Sequence, residues 1–229
     1  MPSEPTTRPR FLKGALVVHE SQTPGPPPKV IVFQYNPEQV KRSLEKRAVE
    51  SKGGGSSPSK EDLLRAAGPP AETINLQITL DAADQLAEPD SNQTTVENGL
   101  FPMLSVLEML LYPPTTRVQQ IDAAAGQGEV QVSPADLPLV LLVWGQSRVV
   151  PVMLTSFTVS EESFDVNLNP IRAKIDLAMK VLTYLELKKN TIGYDAYLSY
   201  QRRKEQHAAK YRAGAGESAV LQTVDQSRR

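Results

Sequence analysis

Three β-type runs follow one another between Leu139 and Tyr184: LVLLVWG, then VVPVMLTSFTVSEESF, then NLNPIRAKIDLAMKVLTY. Turn residues separate them, and a short acidic bend is expected at Glu161 and Glu162. The last run alternates from Arg172 to Leu182, with Ala173, Ile175, Leu177, Met179 and Val181 set against Lys174, Asp176 and Lys180. A second alternating stretch lies at Thr73 to Leu80. Ile74, Leu76, Ile78 and Leu80 face one way there, and Thr73, Asn75, Gln77 and Thr79 face the other. Such alternation predicts strands with one dry face and one wet or partner-facing face, the shorter reaching ~26 Å at about 3.3 Å per residue.

The remaining pattern is more mixed. Phe11 to Glu20 and Lys29 to Tyr35 read as strands, separated by the turn-forming TPGPPP of Thr23 to Pro28. Gln39 to Val49 reads as extended, with helix as the alternative, because its apolar spacing fits neither period cleanly. Gly53 to Ser59 has the composition of a loop, and Asp62 to Ala67 allows one helical turn. Asp81 to Gly99 reads as a polar loop. Leu100 to Tyr112 predicts a helix with a stripe of Leu100, Met103, Leu104, Leu107, Leu110 and Leu111, stopped by Pro113-Pro114. Asp122 to Pro134 is small and polar, with a short strand possible at Glu129 to Val132. Tyr194 to Tyr211 predicts a second helix, with Tyr194, Tyr197, Leu198 and Gln201 on one face. The expected division is an arm over residues 1–10, a β domain over 11–187, a helical extension over 188–212 and a disordered tail over 213–229.

Composition narrows the chemistry. The chain has 229 residues, no cysteine and a formal net charge of -1. Disulfide frameworks and thiol chemistry are excluded, and bulk charge gives no case for nucleic acid or an anionic membrane. The longest uninterrupted apolar run, Leu139 to Trp144, falls far below the ~20 residues of a spanning helix. No leader-like segment opens the sequence, so synthesis and assembly in the cytoplasm are expected.

His19 and His207, the only histidines, are far apart in sequence and read as surface or edge residues rather than metal ligands. Gly145 to Val149 (GQSRV) begins like a nucleophile elbow around Ser147 but lacks the second glycine, and a hairpin turn is the simpler reading. Gly53-Gly54-Gly55 with Lys60 lacks the Gly-Lys-Ser/Thr ending of a phosphate loop. Adjacent Glu161 and Glu162 point to opposite faces of an extended strand, a poor geometry for shared acid–base work. Arg202-Arg203-Lys204 reads as a solvated helix face, with contact to an acidic partner as the alternative. No catalytic, cofactor-binding or metal-binding residue is assigned.

Several strings resemble the tube-like baseplate proteins of contractile injection systems, phage-tail-like machines in which a sheath drives a rigid tube through a target envelope. They are Lys13 to Val17, Val32 to Glu38 (VFQYNPE), Glu72 to Asp81, Leu104 to Tyr112, and a long string from Trp144-Gly145 to Leu168-Asn169-Pro170-Ile171-Arg172-Ala173. The resemblance implies a mainly β subunit, an antiparallel barrel or sandwich of the tail-tube type with one flanking helix and a C-terminal helix. It further implies a structural, non-enzymatic role in a hexameric ring between the spike and the first ring of tube. The expected partners are the inner-tube protein, the spike protein, other baseplate subunits and further copies of this chain, with no nucleic acid and no direct membrane insertion.

Many members of that family end in a LysM module that grips peptidoglycan. The short polar stretch after Tyr211 has no room for one, so wall binding is not expected of it. The wet faces carried by Thr73, Asn75, Gln77, Thr79, Lys174, Asp176 and Lys180 are expected to line the channel or meet a neighbour. Ordinary solvent faces of a monomeric sandwich are the alternative reading of the same pattern. At the level of function the alternatives are the repetitive inner-tube subunit, a particle-anchoring or wall-binding baseplate module and, least favoured by the residue census, a hydrolase using a site that the motifs do not mark.

Overall fold

The computed structural model describes residues 12–23, 25–47, 67–113, 115–126 and 137–211. The arm, the Gly53 to Ser59 loop, the helical turn at Asp62 to Ala67 (apart from Ala67), the strand at Glu129 to Val132 and the tail from Ala213 lie outside the described residues.

The described strands are β1 (Ala15–His19), β2 (Lys29–Val32), β3 (Val40–Glu45), β4 (Ala71–Asp81), β5 (Leu139–Val143), β6 (Val149–Phe164) and β7 (Pro170–Val181). They form one seven-stranded sheet in the order β2-β1-β5-β6-β7-β4-β3, and every neighbouring pair is antiparallel. Long-range pairing of β4 with β7 puts two strands far apart in sequence side by side. The alternation in each is why that register holds, since a one-residue slip would turn every apolar side chain to the wet side.

Ile74, Leu76, Ile78 and Leu80 of β4 are buried, as are Ala173, Ile175, Leu177, Met179 and Val181 of β7. They share one core with Leu16 and Val18 of β1, Ile31 and Phe33 at the far end of the sheet, and Leu104 and Leu107 of a helix. Both ends of the sheet contribute to the same core, so the sheet curls around it. Gly14 continues the β1–β2 and β1–β5 registers opposite Phe33 and Trp144, and an added Cβ would lie 2.6 Å from the Trp144 ring and 2.7 Å from Phe33.

Residues between β4 and β5 are more helical than the sequence pattern suggests. The expected polar loop over Asp81 to Gly99 contains α1 (Ala83–Leu86), a 3-10 turn (Pro89–Ser91) and α2 (Gln93–Asn98). Their hydrogen bonds are local, including Leu86 N–H to Ala82 O at 2.9 Å, and no apolar stripe marks them in the sequence. The helix expected over Leu100 to Tyr112 is α3 (Phe101–Glu108). Its end tightens into three-residue turns, with Leu110 N–H to Leu107 O and Leu111 N–H to Glu108 O.

Met103 of the expected stripe is exposed, whereas Leu100, Leu104, Leu107 and Leu110 are buried. A further helix, α4 (Thr115–Gly126), begins beyond the prolines, in a stretch given no helix by its sequence pattern. Gln and Ala propensity supports it. The ambiguous Gln39 to Val49 stretch resolves as strand β3. The bend expected at Glu161 and Glu162 is instead the outer part of β6, which runs on to Phe164 with register irregularities between Glu161 and Ser163 and between Ser163 and Phe164. A bulge absorbs the twist there without ending the strand.

Helix α5 (Ile192–Ala209) lies against β6. Thr191 caps it, its hydroxyl accepting from Tyr194 N–H at 3.3 Å and donating to Lys188 O at 2.7 Å. Tyr197 and Tyr200 are its buried contacts with the core. The face grouped from sequence pattern held Tyr197 but also Gln201, which is exposed, and left out Tyr200.

Candidate assembly face

The seven expected partner-facing residues form one patch. In the β4–β7 register Thr73 lies opposite Lys180, Gln77 opposite Asp176, and Thr79 opposite Lys174, with Asn75 opposite Ala178. The patch extends onto β3, where Lys41 pairs with Asn75 and Ser43 with Thr73. It extends onto β6, where Thr158 lies opposite Asp176 and Ser160 opposite Lys174. Two polar faces read separately along the sequence are thus halves of a single surface four strands wide.

Charge on this surface is paired locally. Gln77 Nε2 donates to Asp176 Oδ1 at 2.9 Å. Lys174 Nζ sits 2.6 Å from Glu162, and Arg172 Nη2 sits 2.8 Å from Asp81. Lys180 leans beyond the patch to Glu186, 3.6 Å away. The Asp81 carboxyl is held below its ordinary range, first by the hydrogen bond from Ala83 N–H and further by Arg172. The result is a mixed-sign surface without a dominant field.

An open groove of about 920 Å³ runs along the patch between Tyr35 to Gln39 and strands β4 and β7. β3 pairs with β4 only from Ala71 to Leu76, so the half of β4 from Gln77 to Asp81 has a strand neighbour on its β7 side only. The VFQYNPE string builds the wall of this groove. Phe33 enters the core, Gln34 bonds the backbone of Asp81, and Asn36 clamps the first strand by accepting from Gly14 N–H at 2.8 Å and donating to Leu12 O at 2.9 Å.

The outer end of the β6–β7 hairpin is braced differently. Asp165 Oδ1 accepts from the backbone N–H groups of Asn167 and Asn169, both at 2.8 Å, and Oδ2 accepts from Asn169 Nδ2 at 2.9 Å. Desolvation pushes the Asp165 carboxyl up, but these bonds together outweigh it and leave it lowered. The rigid turn presents Val166 and Leu168 to solvent at 98% and 75% exposure.

A polar cluster that the sequence reading missed lies on the opposite face. Glu72 occupies an apolar-phase position of β4 and is buried. Its carboxylate accepts from Tyr200 Oη at 2.8 Å, Arg42 Nε at 2.8 Å and Lys204 Nζ at 2.9 Å. Burial pushes the Glu72 carboxyl up, and the three donors more than offset this, so it sits below its usual range. Burial and the adjacent carboxylate push the Tyr200 hydroxyl up. The available signal was a lone glutamate in phase with Ile74, Leu76 and Ile78, and its partners are up to 132 residues away.

Ser147 is in the turn between β5 and β6, which closes with Trp144 N–H to Arg148 O at 2.7 Å and has Gly145 at φ 69. This is a hairpin turn, and no helix follows it as a nucleophile elbow requires. His207 Nε2 lies 3.3 Å from Ser147 Oγ, while His19 is in β1. Among the described residues no three His, Cys, Asp or Glu side chains converge as metal ligands, and no helix is long and apolar enough to cross a membrane.

The described residues form an antiparallel sheet curled around one core, with a wide polar face on β3, β4, β7 and β6. The sequence matches the contractile injection system tube protein family over residues 15–190, and the chain belongs to that family. It is therefore a structural, non-enzymatic component of such a system. No curated protein matches the chain significantly.

Proposed function

We propose that this chain forms a hexameric adaptor ring that joins the inner tube to the spike in the baseplate. The observation that carries the reading is the patch centred on the β4–β7 pair, where Thr73, Asn75, Gln77, Thr79, Lys174, Asp176 and Lys180 present hydroxyls, amides and locally balanced charge on one continuous surface. Such a wall passes cargo without holding it by long-range charge.

The sheet edges at β2 and β3 and the half-covered β4 supply backbone groups for pairing with neighbours, and closed rings use up such edges. The partners are further copies of this chain, the inner-tube protein, the spike protein and other baseplate subunits. Assembly takes place in the cytoplasm, within a phage-tail-like particle. Helices α1 to α4 and α5 add bulk outside the sheet, which suits a ring placed once better than a subunit stacked many times.

The test is to tag the chain, purify the particle it joins and count its copies against the tube subunit by quantitative mass spectrometry. About six copies beside a large excess of tube subunit support the adaptor ring. Copy numbers rivalling the tube make it the repetitive tube subunit. Recovery without any sheath, tube or spike protein rejects the assembly reading.

A further inference from the structure

A second opening of about 310 Å³ lies on the other side of the molecule, between α5 and the β5–β6 turn. It is lined by Arg42, Trp144, Ser147, Arg148, Tyr200, Lys204 and His207. Its size is at the lower end of the range for small-ligand pockets. Three permanent cations border it, and the nearby carboxylate of Glu72 is engaged by Arg42 and Lys204 at 2.6 and 2.9 Å. Arg148 has no carboxylate partner among the described residues, although its charge reaches Tyr200.

The walls are held in place before anything binds. Lys204 Nζ stacks 4.0 Å from the centre of the Tyr200 ring, Tyr200 and Arg42 are joined at 3.0 Å, and the His207–Ser147 contact ties α5 to the turn. A preorganised pocket of this kind carries donors in excess of acceptors. Arg148 supplies a guanidinium fork with no carboxylate partner among the described residues.

We propose that this pocket receives a single carboxylate, the side chain of a glutamate or aspartate on an acidic segment of a docking protein. Charge complementarity fixes the sign of the occupant, and the guanidinium fork matches the two oxygens of a carboxylate. The Glu72 carboxylate lies beside the pocket, bonded to Arg42, Lys204 and Tyr200. It offsets one of the three bordering cations and leaves a net excess of positive charge for an incoming anion. The pocket is on the opposite face from the β4–β7 patch, so its occupancy is independent of whether that patch lines a channel.

Trp144 is the only tryptophan in the chain and lines the pocket, so its emission reports occupancy at the site itself. The full chain is titrated with a hexaglutamate peptide at low salt. A saturable change in Trp144 emission is expected. Arg148→Gln should weaken it by about tenfold, as expected for loss of a charge-assisted bond. Arg148→Lys, which keeps the charge and loses the fork, should fall between, and Lys189→Gln on the exposed surface should match wild type.

A wild-type chain with no saturable response overturns the proposal whatever the variants do. Equal weakening by Lys189→Gln and Arg148→Gln also overturns it, because binding is then diffuse. So does inorganic phosphate, if it changes the emission at lower concentration than the peptide. If Arg148→Gln fails to fold, a response in Arg148→Lys indistinguishable from wild type still counts against the fork.

Discussion

The side-chain amide of Gln34 pairs with both backbone groups of Asp81: its Nε2 donates to Asp81 O at 2.7 Å and its Oε1 accepts from Asp81 N–H at 2.9 Å. A primary amide has the same donor and acceptor set as a peptide group, so Gln34 acts as a one-residue strand beside the end of β4. It links the segment following β2, at one end of the sheet, to β4, next to the other end. The curl is thus closed at one corner by a side chain.

Replacing Gln34 with Ala leaves both Asp81 groups without that partner. The expected loss is about 1–2 kcal/mol in urea unfolding, with the denaturant slope unchanged. Gln34→Glu should also destabilise, since a carboxylate accepts from Asp81 N–H but repels Asp81 O. A Gln34→Glu protein as stable as wild type would mean the bidentate pairing does not close the sheet.

Gly99 sits at φ 56 where α2 hands over to α3, and an added Cβ would lie 2.4 Å from Pro170 O. That carbonyl is fixed because it accepts from Leu100 N–H at 2.8 Å. Gly99→Ala therefore combines a left-handed backbone with a backbone clash. A loss of about 2–3 kcal/mol is expected, read from thermal or chemical unfolding.

Stability should fall in acid through two carboxylates. The Glu186 carboxyl is subject first to desolvation, which raises it; bonds from Thr183 and Arg47 outweigh this and hold it down to about 2 from an ordinary 4.5. Glu72 is lowered as well. A carboxyl whose folded pKa is depressed stabilises the fold above its unfolded pKa, and that stability is lost as pH falls toward the folded value. The window for Glu186 is therefore from about 4.5 down to about 2. Urea midpoints measured across this range should drop for wild type and drop less for Glu186→Gln. Parallel curves for the two proteins would contradict the assignment.

The absence of native cysteine makes single-cysteine labelling clean. If the β4–β7 patch lines a channel, Asn75→Cys in the assembled particle should react with a small maleimide but resist a polymer-linked one too wide to enter. The unassembled chain should react with both. Equal reactivity toward the large reagent in both states would place the patch on an outer surface.

Strand phase was legible wherever a strand has one wet face. Thr73 to Leu80 and Arg172 to Leu182 declared their buried residues because burial alternates with period two, and both lie in the strands read for them. The hairpin turn at Gly145 was legible from its turn residues. Helices α1, α2 and α4 were not, because they are short or mostly polar and carry no apolar stripe to read. The outer part of β6 was misread at Glu161 and Glu162, since a bulged and exposed strand end has the composition of a bend.

Sequence alone determined the β class, the alternating faces and the polar residues on them, because each follows from local periodicity. Which strands are neighbours was decided only in three dimensions. Pairing β4 with β7 fused two polar faces into one patch and set Gln77 on Asp176. The same folding brought Tyr200 and Lys204 onto Glu72 across more than a hundred residues. Those contacts depend on register and curl, which arise from packing one shared core, and no local stretch of chain encodes them.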